Sequence, residues 1–302
     1  MKISVAISTY CGEKYIVEQL NSIKNQTQKV DEVIISDDCS KDSTVDIIES
    51  YISENILKDW KLIKNENNKG WMKNFKEVIL ATTGDIVFIA DQDDIWKPEK
   101  VEIMVKAMLS NNNIELLASD YQALIDGNLI NEFKSDDNLE QLKFHKKFFF
   151  ILRPGCSFVV KRKLVDELLP YWNEKLPHDK QLWIMGYLRN SIYIIHNSLF
   201  IYRRHKETTT GRDGISLKAK KRNLFYEENG LKLALEYDKN NKYLNAEQKK
   251  QVYTALKYID KRKEYLYEKK AFNIFANLKY IGYYAFYKTF IGDIIAKIKA
   301  NE

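Results

Sequence analysis

The chain has 302 residues, 45% of them hydrophobic and 30% charged, with a net charge of +6. This length and balance suit a folded soluble protein of one large or two smaller domains, and four prolines with eleven glycines exclude long low-complexity linkers. Three cysteines (Cys11, Cys39, Cys156) form no CxxC pair, which argues against a zinc site or a disulfide framework and for a cytoplasmic chain.

The apolar run in Met1–Ser8 is too short for a signal peptide, and Ile3–Ser8 is predicted to be a first strand. Lys14–Lys24 follows as a helix with Tyr15, Ile16, Leu20 and Ile23 on one face. Glu32–Ser36 is predicted as a strand, Ser43–Ile52 as a helix capped by Ser43 or Asp42, Trp60–Lys64 as a strand and Trp71–Ala81 as a helix. Ile86–Ala90 makes a fourth strand and Pro98–Leu109 the next helix. Strict alternation implies right-handed βαβ units, a mostly parallel sheet and helices on both faces. Beyond residue 112 the pattern loosens. Ile114–Ser119, Phe158–Lys161, Tyr193–Ile195 and Leu199–Tyr202 read as strands, residues 122–150 as an inserted loop or helical region, and everything from 216 onward as helix.

The fourth strand empties into Asp91-Gln92-Asp93-Asp94. Open α/β sheets bind ligands at the carboxyl ends of their strands. Three carboxylates within four positions repel one another unless a cation or a hydrogen-bonding ligand joins them. The loop therefore asks for a divalent metal and, with it, a phosphate-bearing substrate. Asp94 also suits a cap for the helix opened by Pro98 and Glu99.

Two other strand ends belong to the same pattern: Ser8-Thr9-Tyr10-Cys11 after the first strand, and Asp37-Asp38-Cys39-Ser40 after the second. Together the three segments resemble the nucleotide-binding half of family 2 glycosyltransferases, whose pattern is Pro-Thr-Tyr-Asn, Asp-Asp-Gly-Ser and Asp-x-Asp. The match spans residues 3–100. It departs at Ser8, Cys11 and Cys39, which stand where the family has Pro, Asn and Gly. The resemblance implies a GT-A (Rossmann-like) α/β fold and a nucleotide-diphospho-sugar donor, with UDP and dTDP both open. Asp38 would accept from a pyrimidine N–H, Tyr10 cover the ring, and Ser8 or Thr9 hydrogen-bond it. Asp93 would take the metal, Mn2+ or Mg2+, and Asp91 the ribose or a metal-bound water. A polar turn at Asp37–Ser40 and plain packing of Tyr10 are the bland alternatives.

In the second half, His178-Asp179 ahead of an apolar helical run resembles the family's Glu-Asp, in the His-Asp form of a rhamnosyltransferase-like subset. Asp179 would be the general base of an inverting displacement, or simply a helix N-cap. Gly155-Cys156 resembles the Gly-Cys-Thr segment near the donor sugar, and Tyr202-Arg203-Arg204-His205 the subset's Tyr-Arg-x-His. By that resemblance His205 is a further metal or diphosphate ligand, Arg203 or Arg204 a charge clamp, and Gly155, Cys156 and His178 donor or acceptor contacts. A turn into a strand and a structural histidine are the alternatives. The Gln-x-x-Arg-Trp of processive synthases is absent, which favours single-sugar transfer.

These motifs divide the chain into a catalytic region, 1–212 (nucleotide half 1–100, acceptor half 101–212), and a helical extension, 213–302. Residues 211–302 hold 20 basic and 11 acidic residues, and carry no nucleic-acid-binding signature. Their aromatics and lysines suit peripheral contact with a membrane bearing a lipid-linked saccharide acceptor, or packing on the catalytic domain. The expected activity is glycosyl transfer in cell-surface polysaccharide synthesis. A catalytically silent carbohydrate- or membrane-binding protein and a sugar-phosphate nucleotidyltransferase are the rivals. The second would want a glycine-rich phosphate loop, and Ser8–Glu13 has a single glycine.

Overall fold

A computed structural model describes residues 1–204, 216–267, 274–285 and 287–299. Its first part alternates as predicted: β1 (Ile3–Thr9), α1 (Ile16–Lys24), β2 (Glu32–Asp37), α2 (Thr44–Glu54), β3 (Trp60–Lys64), α3 (Trp71–Ala81) and β4 (Ile86–Ala90). A two-residue strand, β5 (Ile95–Trp96), precedes α4 (Lys100–Ser110). β3, β2, β1 and β4 lie side by side and parallel, with Ala6 opposite Ile34 and Val5 opposite Phe88. Successive side chains point to opposite faces. Val5 and Ile7 therefore join one core with Ile35 and Phe88, while Ala6 joins the other with Ile34 and Ile89. Strands covered on both faces read as continuous apolar runs, which is why they were legible.

The sheet continues with β6 (Leu116–Ile125), β7 (Asn128–Asn131), β8 (Leu139–Gln141), β9 (Phe158–Lys161) and β10 (Ile192–Arg204), with helices α5 (Arg162–Leu168) and α6 (His178–Leu188). Its order is β3-β2-β1-β4-β9-β6-β10-β5. β9 runs antiparallel to both β4 and β6, and β10 parallel to β6. Every long strand thus points the same way as β1, and only β9 and the short β5, β7 and β8 oppose it. One sheet edge collects the carboxyl ends of β1, β2, β4, β6 and β10 together with the start of β9.

Two expectations change here. Residues 122–150 are a loop only in part: 132–138 and 142–150 are irregular, but 122–125, 128–131 and 139–141 are strand. β6 runs on to Ile125 and folds back as β7 through Asp126 and Gly127, both at positive φ (50° and 83°), as a two-residue Asp-Gly hairpin turn requires. The two short strands at 193–195 and 199–202 are one strand, β10, whose pairing with β6 slips between Ile195 and Ile201. His196-Asn197-Ser198 at that slip broke the apolar run.

The extension forms α7 (Leu217–Asn241), α8 (Ala246–Tyr267) and α9 (Tyr287–Lys299), with a 3-10 stretch at Ile274–Tyr283. Leu224 and Leu231 of α7 and Val252 and Ile259 of α8 belong to the same cluster as Ala6, Val160 and Trp183. These helices extend the core on one face of the sheet instead of building a separate one.

Candidate active site

A cleft of about 400 Å³ opens at the edge where the strands end. Ser8, Thr9 and Tyr10 reach it from β1, Asp38 from β2, Asp91, Gln92 and Asp93 from β4, and Tyr202 and Arg203 from β10. Gly155 and Cys156 enter because β9 is antiparallel and begins where its neighbours finish. His178 and Asp179 complete it from the first turn of α6.

The groups at the ends of β1 and β2 are tightly held. Asp38 is buried and accepts from the backbone N–H of Lys69 and of Gly70, each at 2.8 Å, and from Asn65 Nδ2 at 3.3 Å. A carboxylate has about four acceptor positions, so capacity remains for one more donor. The Thr9 hydroxyl donates to Asp37 at 2.9 Å, and Ser8 Oγ accepts from Asn74 Nδ2 at 2.8 Å. Tyr10 is 47% exposed at the rim. Cys11 and Cys39 adopt left-handed backbone (φ 48° and 65°), the region that favours the asparagine and glycine of the family pattern. The turns keep that geometry although their residues differ.

The acidic loop divides into a cleft-facing and a buried part. Burial first, then the neighbouring Asp93 charge and more weakly Asp179, raise the Asp91 carboxyl to about 7. Asp94 is not a helix cap; α4 starts at Lys100 without a side-chain cap. Its carboxylate is buried, accepts from Arg203 N at 3.3 Å, and is pushed well above the usual range by burial and by Asp93 and Asp91. Behind it lies Lys100, wholly buried, whose Nζ donates to the Cys156 carbonyl at 3.2 Å and sits 4.1 Å and 4.3 Å from the Trp96 and Phe200 ring centroids. Burial lowers this ammonium to about 8 against the pull of the nearby acids.

Asp91, Asp94 and Cys156 bring one ligand atom each within 4.8 Å of one another. The Cys156 thiol, driven up by burial and by Asp94, stays protonated and soft, a poor partner for a hard cation. The oxygen donors of Asp91 and Asp93 on the cleft wall do suit Mg2+ or Mn2+.

Asp179, in the same cleft, sits in the first turn of α6, where the N-cap is Pro177; its Oδ1 accepts from Lys180 N at 2.7 Å. Asp179 is therefore not the N-cap. His178 is 4% exposed and stacks on Phe75 at 4.1 Å, and neither ring nitrogen has a partner among the described residues. Burial lowers its pKa, so the imidazole is neutral at pH 7. A Cβ at Gly155 would stand 2.8 Å from both His178 Nε2 and Asp179 Cβ. The close approach Gly155 permits is thus to α6.

Arg203 and Arg204 part company because successive strand residues face opposite ways. Arg203 lines the cleft, donates from Nε to the Asp93 carbonyl at 2.9 Å and reaches Glu18. Arg204 turns to Tyr121 and Glu132 instead and is not among the residues lining the cleft. His205 lies outside the described residues. Sequence reasoning missed Gly70, Trp71, Phe75, Gln92 and Lys100. Trp71 and Phe75, four apart at the head of α3, left a signal; Lys100 left none, because a lysine opening a helix reads as solvated.

The family model for glycosyl transferase family 2 matches residues 4–169, which hold the ends of β1, β2 and β4 and the Gly155 segment. The chain belongs to the family 2 glycosyltransferases. An uncharacterized glycosyltransferase of Methanocaldococcus jannaschii, MJ1057, is 33% identical over 74% of this chain and 76% of its own length. The dTDP-rhamnosyl transferase RfbG of Shigella flexneri is 31% identical over 72% of this chain and 78% of its own. Among solved structures, Staphylococcus aureus TarS 1–349 in complex with UDP-GlcNAc aligns with a TM-score of 0.62 at 19% identity, covering 86% of this chain and 80% of that one. This likeness agrees with the GT-A fold of the glycosyltransferase described above.

Proposed function

We propose that this glycosyltransferase moves one sugar, with inversion, from a UDP- or dTDP-sugar to a saccharide acceptor in cell-surface polysaccharide synthesis, with help from Mn2+ or Mg2+. The observation that carries the reading is that Asp179 lines the same cleft as Asp91 and Asp93. Ser8, Thr9, Tyr10 and Asp38 are the nucleotide side; Asp38 has an acceptor position left for a base N–H, while Thr9 acts through Asp37. Asp91 and Asp93 would hold the cation, which when bound would offset the charge the diphosphate gains on leaving. Arg203 presents a guanidinium at that end of the cleft. Asp179 takes the proton from the acceptor hydroxyl as that oxygen attacks the anomeric carbon from the face opposite the diphosphate. Gly155, Cys156 and His178 border the sugar between them.

A relative named a dTDP-rhamnosyl transferase and the His178-Asp179 pair favour a rhamnosyl or related hexosyl donor. A lipid-linked saccharide at the cytoplasmic face of the membrane is the acceptor form we favour. The test is a thermal-shift panel of nucleoside diphosphates with manganese, then donor turnover and the anomeric configuration of the product by NMR. Retention of configuration would overturn the inverting assignment. Nucleotide binding without turnover of any donor would favour the silent binding protein.

A further inference from the structure

α9 is turned inside out relative to an ordinary surface helix. Its inward face carries Asp293, wholly buried and paired with Lys220 at 2.8 Å and with Arg262 at 2.6 Å, beside the buried Ala296. Its outward face carries Ile291, Ile295 and Ile298, which are 48%, 41% and 55% exposed. At 100° per residue these three fall within about 60° of one another and opposite Asp293. Ile281, in the preceding 3-10 stretch, is 45% exposed as well.

The charge around this stripe has one sign. Residues 274–299 contain four lysines and one acid, and that acid is the buried Asp293. Lys279 and Lys288 are exposed. Two more lysines arrive from the loop after β8: Lys146 lies with its Nζ 5.6 Å from the Tyr283 ring centroid, and Lys147 donates to the Ala285 carbonyl at 3.4 Å. Isoleucines between lysines match an anionic lipid surface, which takes the apolar stripe into its acyl boundary and the ammonium groups among its headgroups. A second copy of this chain would bring the same positive rim against itself. No helix among the described residues is long and apolar enough to cross a membrane, so the contact is peripheral.

We infer that the outer face of α9, with Ile291, Ile295 and Ile298 rimmed by Lys279, Lys288, Lys146 and Lys147, docks on an anionic bilayer. The inference does not depend on the reading of the cleft. In a flotation assay the full chain should bind phosphatidylglycerol-containing vesicles and bind phosphatidylcholine vesicles at least roughly tenfold less, with added salt weakening the former. Ile291→Asp with Ile295→Asp should cut binding by roughly tenfold or more while far-UV circular dichroism and nucleotide binding in solution stay unchanged. Lys279→Glu with Lys288→Glu should abolish the preference for the anionic lipid and leave the fold intact. Equal flotation of the isoleucine variant and the unaltered chain would overturn the proposal. So would a dimer by light scattering that the isoleucine variant converts to monomer without any vesicle binding.

Discussion

Gln92 and Tyr10 are joined by a pair of hydrogen bonds between side chain and backbone: Gln92 Oε1 accepts from Tyr10 N at 2.8 Å, and Gln92 Nε2 donates to the Tyr10 carbonyl at 3.0 Å. The middle residue of the Asp-Gln-Asp loop is thereby a clamp that ties the loop after β1 to the loop after β4. Gln92→Ala should free both backbone groups and weaken nucleoside diphosphate binding by about tenfold, the equivalent of about 1.4 kcal/mol, within the usual worth of such bonds. Gln92→Glu keeps the acceptor and loses the donor, and should fall between. Titration calorimetry checks both; an unchanged affinity for the alanine variant would remove the clamp.

Asp93→Ala should abolish the metal-dependent part of nucleotide binding, since it removes an oxygen donor from the cleft wall. The readout is manganese-dependent thermal stabilisation by a nucleoside diphosphate. The same stabilisation in the variant would remove Asp93 from the cation site and leave Asp91 to hold the ion without it.

Asp179→Asn keeps the shape of the first turn of α6 and removes the base. Donor affinity should stay within about twofold, while transfer falls by on the order of 100-fold or more. Single-turnover transfer with a saturating donor separates the two. Near-normal turnover would show that another group takes the acceptor proton.

What was legible in the sequence follows the physics of each segment. β1, β2 and β4 are covered on both faces, so their apolar runs stood out, and the carboxylates at their ends were findable by position alone. β6 and β10 were truncated because polar residues interrupt them: Ser119 and Asp120 sit fully buried inside β6, and His196 to Ser198 mark the slip in β10. The Asp126-Gly127 pair is the sequence signal of the turn between β6 and β7. Asp94 and Lys100 hide their burial from the sequence for a common reason. A charged residue in a loop or at a helix start is ordinarily solvated, and here Cys156 ahead of β9, Trp96 of β5, and Phe200 and Arg203 of β10 close over these two.

The pH dependence of stability has a readable source in Glu32, which is 6% exposed and accepts from Ser4 Oγ at 2.5 Å, Thr83 N at 2.8 Å and Lys2 Nζ at 3.1 Å. Burial alone would push its carboxyl up, but these hydrogen bonds outweigh it and hold the value at about 2 against the usual 4.5. A folded value below the unfolded one gives stability that is complete above pH 4.5 and lost as pH falls toward 2. Glu32→Gln should therefore be less stable than the unaltered chain at pH 7, with the gap closing through that window. Urea midpoints at several pH values measure it, and a gap constant with pH would sink the assignment.

Lys100 and Asp94 provide the last expectation. The ammonium is wholly buried and feels Asp94 and Asp91, and Asp94 Oδ2 has no hydrogen-bond partner among the described residues. Lys100→Met retains the chain length and its packing on Trp96 and Phe200, but leaves the buried carboxyl group without its nearby cation. Taking the ammonium away leaves the buried Cys156 carbonyl without its donor, a loss of about 1–3 kcal/mol, and takes a nearby positive charge from the acidic loop. Lys100→Met should lower stability by about that amount, and Lys100→Met with Asp94→Asn should recover at least about half of the loss. Denaturant unfolding of the four forms makes a double-mutant cycle. Additive losses would mean that Lys100 acts through the rings and the Cys156 carbonyl alone, with no part in balancing the acidic loop.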